Sequence, residues 1–253
     1  MEADVKAATG MANPTAAMLV IGDEILSGRT RDTNLHHLAG VLATHGIDLR
    51  EARVVADDRT AIVAAVRALS ATYTHVFTSG GIGPTHDDIT ADAIAEAFGA
   101  AIDIRDDAKA ILMDFITARG VEATPERMRM ARIPEGAVLI ENPVSAAPGF
   151  SLGNVHVCAG VPKIFEAMVA GVMARIEHGQ PVMSQSLRVE RPEGEIAGPL
   201  GALAERYPAL SIGSYPFSEG GVFGANIVVR GVEGAMVSAA MVELGRLFPE
   251  ATR

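Results

Sequence analysis

The chain has 253 residues, of which 49% are apolar, and 31 acidic against 21 basic side chains give it a formal charge of −10. That excess of negative charge speaks against a nucleic-acid or anionic-membrane surface, because gripping phosphate backbones needs clustered Lys and Arg. A single cysteine, Cys158, rules out an internal disulfide and fits a reducing compartment.

Residues 1–15 lack the basic start and apolar stretch of a signal peptide and read as a loose tail. The longest uncharged run, residues 142–162, is broken by Pro143, Pro148 and Pro162 and could not satisfy its backbone in lipid. A cytoplasmic protein with no membrane partner is expected. Residues 17–21 (AMLVI) form a continuous apolar run, the mark of a strand buried on both faces. Leu35, Leu38, Ala39 and Leu42 follow at helical spacing, with Asp32 or Thr33 as cap. Residues 47–55 return to strand character, and Ile62, Val66 and Leu69 mark a second helix. Residues 75–78 predict the third strand and 89–98 the third helix, closed by Gly99. Residues 106–119 predict a further helix. Short strands near 137–140 and 155–158 then lead to a helix over 163–176. This alternation predicts βαβ units and a three-layer α/β domain on a mostly parallel sheet, over residues 16–180. Beyond a hinge at Gly179-Gln180-Pro181, residues 181–253 predict a small α+β subdomain: strand 186–190, helix 196–206, strands 210–215 and 222–230, helix 235–248.

Chemistry collects where the first three strands end. Gly22-Asp23-Glu24, Asp57-Asp58 and Ser79-Gly80-Gly81 follow them in turn. In an open parallel sheet, ligands bind beyond the carboxyl ends of the strands, so these clusters are expected to meet on one rim. Gly80, Gly81 and Gly83 allow successive N–H groups to face one anion, and the helix that follows adds its positive end. The same glycines would also serve a plain strand-to-helix turn. Thr85-x-x-Asp88 fits a capping box, Thr90 is a second candidate cap, and Asp57-Asp58 could simply begin a helix. Taken together, however, carboxylates crowded on one crevice would raise each other's pKa unless a cation sat among them. A divalent metal is therefore expected, with Mg²⁺ favoured by the all-oxygen donors and Co²⁺ the other candidate. It would bridge acids to a phosphate held by the glycine loop. The seven histidines show no metal-binding spacing; His86 is a possible contact by position. Cys158, in an alternating apolar run, reads as a packed thiol.

Gly22-Asp23-Glu24-Ile25-Leu26, Asp32-Thr33-Asn34, the run from Gly80 to Thr90, and Asn142-Pro143 through Phe150 resemble the amino-terminal domain of the competence/damage-inducible protein A (CinA) family, a branch of the MoaB/Mog-like molybdopterin-binding superfamily. The first three strings also resemble the amino-terminal domain of eukaryotic FAD synthases. The resemblance implies metal-dependent hydrolysis of an AMP-containing diphosphate, ADP-ribose or FAD, releasing AMP. The alternatives are a non-catalytic module that binds molybdopterin or a nucleotide, and a molybdopterin adenylyltransferase. It implies a small nucleotide or pterin ligand and a homo-oligomer. No deamidase domain of the longer relatives is expected before Arg253. On this reading Asp57, Asp58 and Asp88 are the catalytic acids, and Asp23, Glu24, Asp87 and Asp88 the metal ligands. Gly22, Asp23, Glu24, Ser79, Gly80, Gly81, Gly83, Thr85, Asn142 and Lys163 would bind substrate. Ala159 and Ile164 stand where many relatives have proline and glutamate, which puts substrate choice and turnover in question.

Overall fold

The computed structural model describes residues 13–252, so most of the predicted tail lies outside the described residues, while Thr15 already belongs to the first strand. The chain divides between Gly179 and Gln180 into two compact units.

The first unit runs β1 (Thr15–Ile21), the one-turn α1 (Asp23–Leu26), α2 (Asn34–Thr44), β2 (Asp48–Val55), α3 (Arg59–Thr72), β3 (His75–Ser79), α4 (Thr90–Phe98) and β4 (Ile102–Ile104). It continues with α5 (Asp106–Ala118), α6 (Pro125–Met128), a 3-10 turn (Arg129–Ala131), β5 (Arg132–Pro134), β6 (Val138–Ile140), β7 (Gly149–Leu152), β8 (Val155–Cys158) and α7 (Pro162–Met173). Six strands form one sheet in the order β2-β1-β3-β8-β7-β6, and β4 pairs with β5 apart from it.

The apolar run of β1 explains the three layers. Ala17, Leu19 and Ile21 enter a core with Ile62 and Val66 of α3, Ile94 of α4 and Leu112 of α5. Their neighbours Ala16, Met18 and Val20 enter the opposite core with Leu38 and Leu42 of α2 and Phe165 and Val169 of α7. Alternate side chains of a strand point to opposite faces, so a strand apolar at every position needs helices on both. Each fully buried Leu, Ile or Val contributes roughly 1.5–3 kcal/mol.

The pairs β2–β1, β1–β3 and β3–β8 are parallel, whereas β8–β7 and β7–β6 are antiparallel. Strand β7 is absent from the sequence-based expectation. It is joined to β8 by Gly153-Asn154, with Gly153 at φ 56°. A two-residue connection can only fold strands back antiparallel, and Gly-Asn between alternating residues was a readable hairpin signal. Helix α7 ends at Met173, three residues before the expected end, and β4, β5 and α6 were too short to register as periodic patterns.

The second unit runs β9 (Met183–Val189), α8 (Glu193–Arg206), β10 (Ser211–Glu219), β11 (Val222–Gly231) and α9 (Gly234–Leu247). Its antiparallel sheet, ordered β10-β11-β9, carries Leu187, Val189, Ile227 and Val229 against Ile196 and Leu203 of α8 and Val237 and Leu244 of α9. Strand β10 extends to Glu219, four residues past the expected Tyr215, because the hairpin with β11 stays in register throughout.

Candidate functional site

The chain leaves β1 toward β2 on one side and returns in β3 on the other. A crevice therefore opens at the carboxyl ends of β1 and β3, the place where such sheets bind ligands. The loop from Gly80 to Ile89 lies there. Gly80 has φ 109°, and a Cβ on it would stand 2.2 Å from the Ile21 carbonyl oxygen, so only glycine lets the loop pass the end of β1. Gly81 has φ 68°, and its Cβ would meet Thr90 Oγ1 at 2.1 Å.

Thr90 was expected as a cap. It lies instead inside the first turn of α4, where its hydroxyl donates to Gly80 O (3.0 Å) and its N–H to Gly81 O (3.0 Å), closing the loop at its base. The Thr85–Asp88 pattern likewise closes a turn just ahead of the helix. Thr85 N–H (2.8 Å) and Oγ1 (2.6 Å) both donate to Asp88 Oδ2, and Asp88 N–H donates to Thr85 O (3.2 Å). Among the described residues, the N–H groups of Gly81, Ile82 and Gly83 take no part in the loop's internal hydrogen bonds. Three successive unengaged donors ahead of a nine-residue helix are the kind of groups that bind an anion.

A small, solvent-open cleft lies beside this loop. Gly81, Ile82, Gly83, Asp88, Asp92, Arg129, Arg132 and Phe150 are among the residues that line it. Arg132 pairs with Asp92 at 2.5 Å, and Arg129 Nη2 reaches Asp88 O at 3.5 Å. Sequence reasoning missed these cations. The signal was three arginines, Arg127, Arg129 and Arg132, within six residues of an acidic chain.

The acids divide. Asp57 Oδ2 accepts the Asp23 N–H at 2.9 Å, tying the turn after β2 to the turn after β1. Partial burial raises the Asp57 carboxyl above its ordinary pKa; the Asp23 N–H opposes this, and the negative charges of Asp23, Glu24 and Asp87 add to it. The three strand-end turns therefore feel one another's charge at Asp57. Asp58 does not join them. It caps α3, accepting Ala61 N–H at 2.8 Å, and Asp88 lies in the cleft without it.

The expected metal quartet is not assembled: among the described residues, no group of three or more His, Cys, Asp or Glu is placed to hold an ion. Glu24 lies over Gly22, where an added Cβ would stand 2.6 Å from its carboxylate, and borders a second cleft with Asp32, Asn34, Ser79 and Gly160. Asp87 projects to solvent 3.8 Å from His86, whose side chain is 97% exposed.

Two further expected ligand contacts have internal duties. Ser79 accepts a hydrogen bond from Asn34 Nδ2 (2.8 Å), which also donates to Gly160 O (2.8 Å); Asn34, 4% exposed, thereby staples the ends of β3 and β8. Asp32 supplies the cap of α2, accepting from Asn34 N (3.2 Å) and Leu35 N (3.1 Å). Asn142 donates to Ser145 Oγ (2.7 Å) and Ala147 O (2.9 Å) and accepts from the N–H groups of Val144 and Ser145 (both 3.0 Å). With both amide hydrogens and both lone pairs in use, it shapes its own loop and offers nothing to a ligand. Lys163 is exposed near the start of α7 and lines neither cleft. Burial pushes the Cys158 thiol up to about 12, so it supplies no thiolate near neutral pH.

The sequence pattern of a probable molybdopterin binding domain matches residues 17–178. The chain belongs to that family. The pattern of the FAD synthase middle domain matches residues 181–252. A probable FAD synthase of Caenorhabditis elegans is 32% identical over 258 residues, covering 92% of this chain and 50% of the relative. The chain thus spans about half the length of that curated relative. A protein of Pyrobaculum calidifontis is 34% identical over 212 residues, covering 80% of this chain and 81% of its own. The crystal structure of CinA, of unknown function, from Thermoplasma acidophilum is 37% identical with a TM-score of 0.59, covering 64% of this chain and 96% of that one. The molybdopterin-binding domain carries a mostly parallel sheet between helices, and a small subdomain with an antiparallel sheet follows it in the chain. No helix among the described residues is long and apolar enough to cross a membrane.

Proposed function

We propose that the glycine-loop cleft binds the pyrophosphate of an AMP-containing dinucleotide, with ADP-ribose and FAD as candidate substrates, and hydrolyses it to release AMP. The observation that carries this reading is the row of free N–H groups from Gly81 to Gly83 beside Asp88, with Arg129 and Arg132 lining the same cleft. The N–H groups would hold phosphate oxygens, and the two guanidiniums would offset charge developing on the leaving phosphate. Asp57, tied to the Asp23 N–H at the same rim of the sheet, would orient the attacking water and take its proton. Partial burial raises its carboxyl pKa, which makes it a stronger base than an exposed carboxylate. The family membership and the similarity to FAD synthases support a nucleotide or pterin ligand and an enzymatic role.

A divalent cation, Mg²⁺ or Co²⁺, would supply charge neutralisation at the phosphate oxygens. The carboxylates of Asp23, Glu24, Asp87 and Asp88 suit such a hard ion chemically. Because no three acidic or histidine side chains are placed to hold an ion among the described residues, substrate phosphate and water would have to complete its shell, as is usual for Mg²⁺. The dispersed acids also favour a second reading, a non-catalytic module for a nucleotide or molybdopterin. A homo-oligomer belongs to the same proposal and is read by sedimentation.

The test is to incubate the protein with ADP-ribose, FAD and ATP, with Mg²⁺ or Co²⁺, and to quantify AMP. AMP is expected from at least one dinucleotide, with Asp88→Asn lowering the rate by roughly 10²-fold or more at unchanged melting temperature. Tight binding with no AMP from any substrate leaves the module reading; an active Asp88→Asn removes the assigned role of Asp88.

A further inference from the structure

The unpaired edge of a strand presents a row of N–H and C=O groups that another strand can take up, and folds blunt such edges with charges, short strands or cover. Strand β2 carries the ion pairs Arg50–Asp48 and Arg53–Glu51. Strand β6 has only three residues, and guanidiniums occupy carbonyls along it: Arg175 donates to Leu139 O (2.7 Å) and Arg105 to Ala137 O (2.6 Å). Strand β9 is covered by Thr252, which donates to Arg188 O (3.0 Å) and accepts from Arg188 N (2.8 Å). Strand β10 has no such protection. It is nine residues long, it borders its sheet, and it has no charged side chain from Ser211 to Ser218. Among the described residues, no strand pairs with its outer edge.

The turn that ends β10 fixes which of its groups are open. Gly220 and Gly221, at φ 58° and 85°, join it to β11 as a two-residue hairpin, in which Glu219 and Val222 exchange both hydrogen bonds. The register then runs unbroken to Ser211 opposite Arg230. Ser211, Gly213, Tyr215 and Phe217 therefore direct their backbone groups to β11, while Ile212, Ser214, Pro216 and Ser218 direct theirs outward. The same alternation, carried across β11 and β9, turns Arg188 outward to Thr252, as found. A second β10, antiparallel about a two-fold axis at Tyr215, fits this edge. Ile212 and Ser218 exchange both bonds across the axis, and Ser214 N–H reaches the Pro216 carbonyl. Only the Ser214 carbonyl, opposite a proline nitrogen that has no hydrogen, stays with water. Other two-fold registers use fewer groups. Axes at Gly213 or Ser214 bring in Leu210, whose N–H already serves Tyr207 O, and axes at Pro216 or Phe217 bring in the turn glycines. Side chains match as well. Tyr215, 50% exposed, meets its own copy as a cross-strand aromatic pair. Glu219 of one copy stands opposite Ser211 of the other, beside Arg230, which has no ion pair among the described residues.

We infer that β10 is a dimer interface, on which a second copy of this chain pairs edge to edge about a two-fold axis at Tyr215 and joins the two small sheets into one. A closed two-fold pairing uses the same edge on both copies and leaves neither open. This gives the homo-oligomer reading above a surface and does not depend on the nucleotide chemistry.

The test reads the register directly. The two Tyr215 positions form a non-hydrogen-bonded pair, whose Cα atoms lie about 4.5 Å apart, within disulfide range. Tyr215→Cys, treated with diamide as the oxidant, should therefore give a covalent dimer on non-reducing electrophoresis. Ser211→Cys, whose two thiols lie roughly 27 Å apart along the strands, should not. Cys158 is buried and does not compete. Tyr215→Lys sets like charges opposite each other and should weaken the dimer at least tenfold in sedimentation velocity, with an unchanged circular dichroism spectrum. Cross-linking of Tyr215→Cys no faster than that of Ser211→Cys, or an oligomer unmoved by Tyr215→Lys, overturns the β10 interface and leaves a homo-oligomer built elsewhere. A native chain that sediments as a monomer overturns both, and leaves the edge to an extended segment of another protein.

Discussion

His156 makes the fold of the first unit sensitive to acid. It stands on β8 at 5% exposure, with Nδ1 2.9 Å from Ser151 Oγ, Nε2 3.3 Å from His75 Nδ1, and the Phe77 ring 4.9 Å away. Burial, and then the neighbouring His75, push its pKa down from 6.5 to about 3. Burial also lowers His75, so the pair is neutral in the folded protein near pH 7. In the unfolded chain His156 titrates near 6.5. Between these two values the unfolded state binds a proton that the folded state refuses. The contribution is therefore intact above about pH 6.5 and is lost as the pH falls toward 3. From pH 7 to pH 5 the linkage relation gives a loss of roughly 2 kcal/mol from this one side chain. Carboxylates titrate over part of the same range, so the informative quantity is a difference between two proteins. Urea unfolding followed by backbone circular dichroism, at pH 7 and pH 5, is compared for the native chain and His156→Gln, which stays neutral. Whatever its stability at pH 7, the variant should lose about 2 kcal/mol less on acidification. Equal losses, or a His156 imidazole that titrates near pH 6 by NMR, would refute the reasoning.

Other substitutions address the site. Asn34→Ala leaves the buried Ser79 Oγ without its donor, at a cost of about 1–3 kcal/mol, whereas the exposed Gly160 can turn to water, and thermal melting should show a clear fall; a change below about 0.5 kcal/mol would mean the staple carries no stability. Asp57→Asn keeps an acceptor for Asp23 N–H but removes a carboxylate whose pKa is raised in the fold. Because the ionised form is the disfavoured one, the variant should melt slightly higher at neutral pH, with the gain fading as pH drops through the native carboxyl's folded pKa. Its AMP release should fall by roughly 10²-fold or more, and unchanged turnover would remove Asp57 from the proposed chemistry.

How far the primary structure reached can be judged from particular residues. The burial of β1 on both faces, the helices flanking it, the order of elements in the second unit, and the need for glycine at 80 and 81 were legible, because each rests on spacing or on backbone conformation within a few residues. The meeting of the first three strand-end turns was legible too, since parallel strands with short crossovers bring their carboxyl ends to one rim. Which carboxylate turns inward was not. Asp57 and Asp58 are neighbours of the same chemistry, and only the packing of α3 against the sheet sends one to Asp23 and the other to Ala61. The same limit hid the Asn34 staple, formed across 45 and 126 residues of chain, and the two arginines brought to the cleft from beyond α6. It also made the four acids look like a ligand set that the fold keeps apart. Local pattern determines which segments form and which backbone turns are possible; the direction and partner of a polar side chain at a strand end are decided by what the rest of the fold packs beside it.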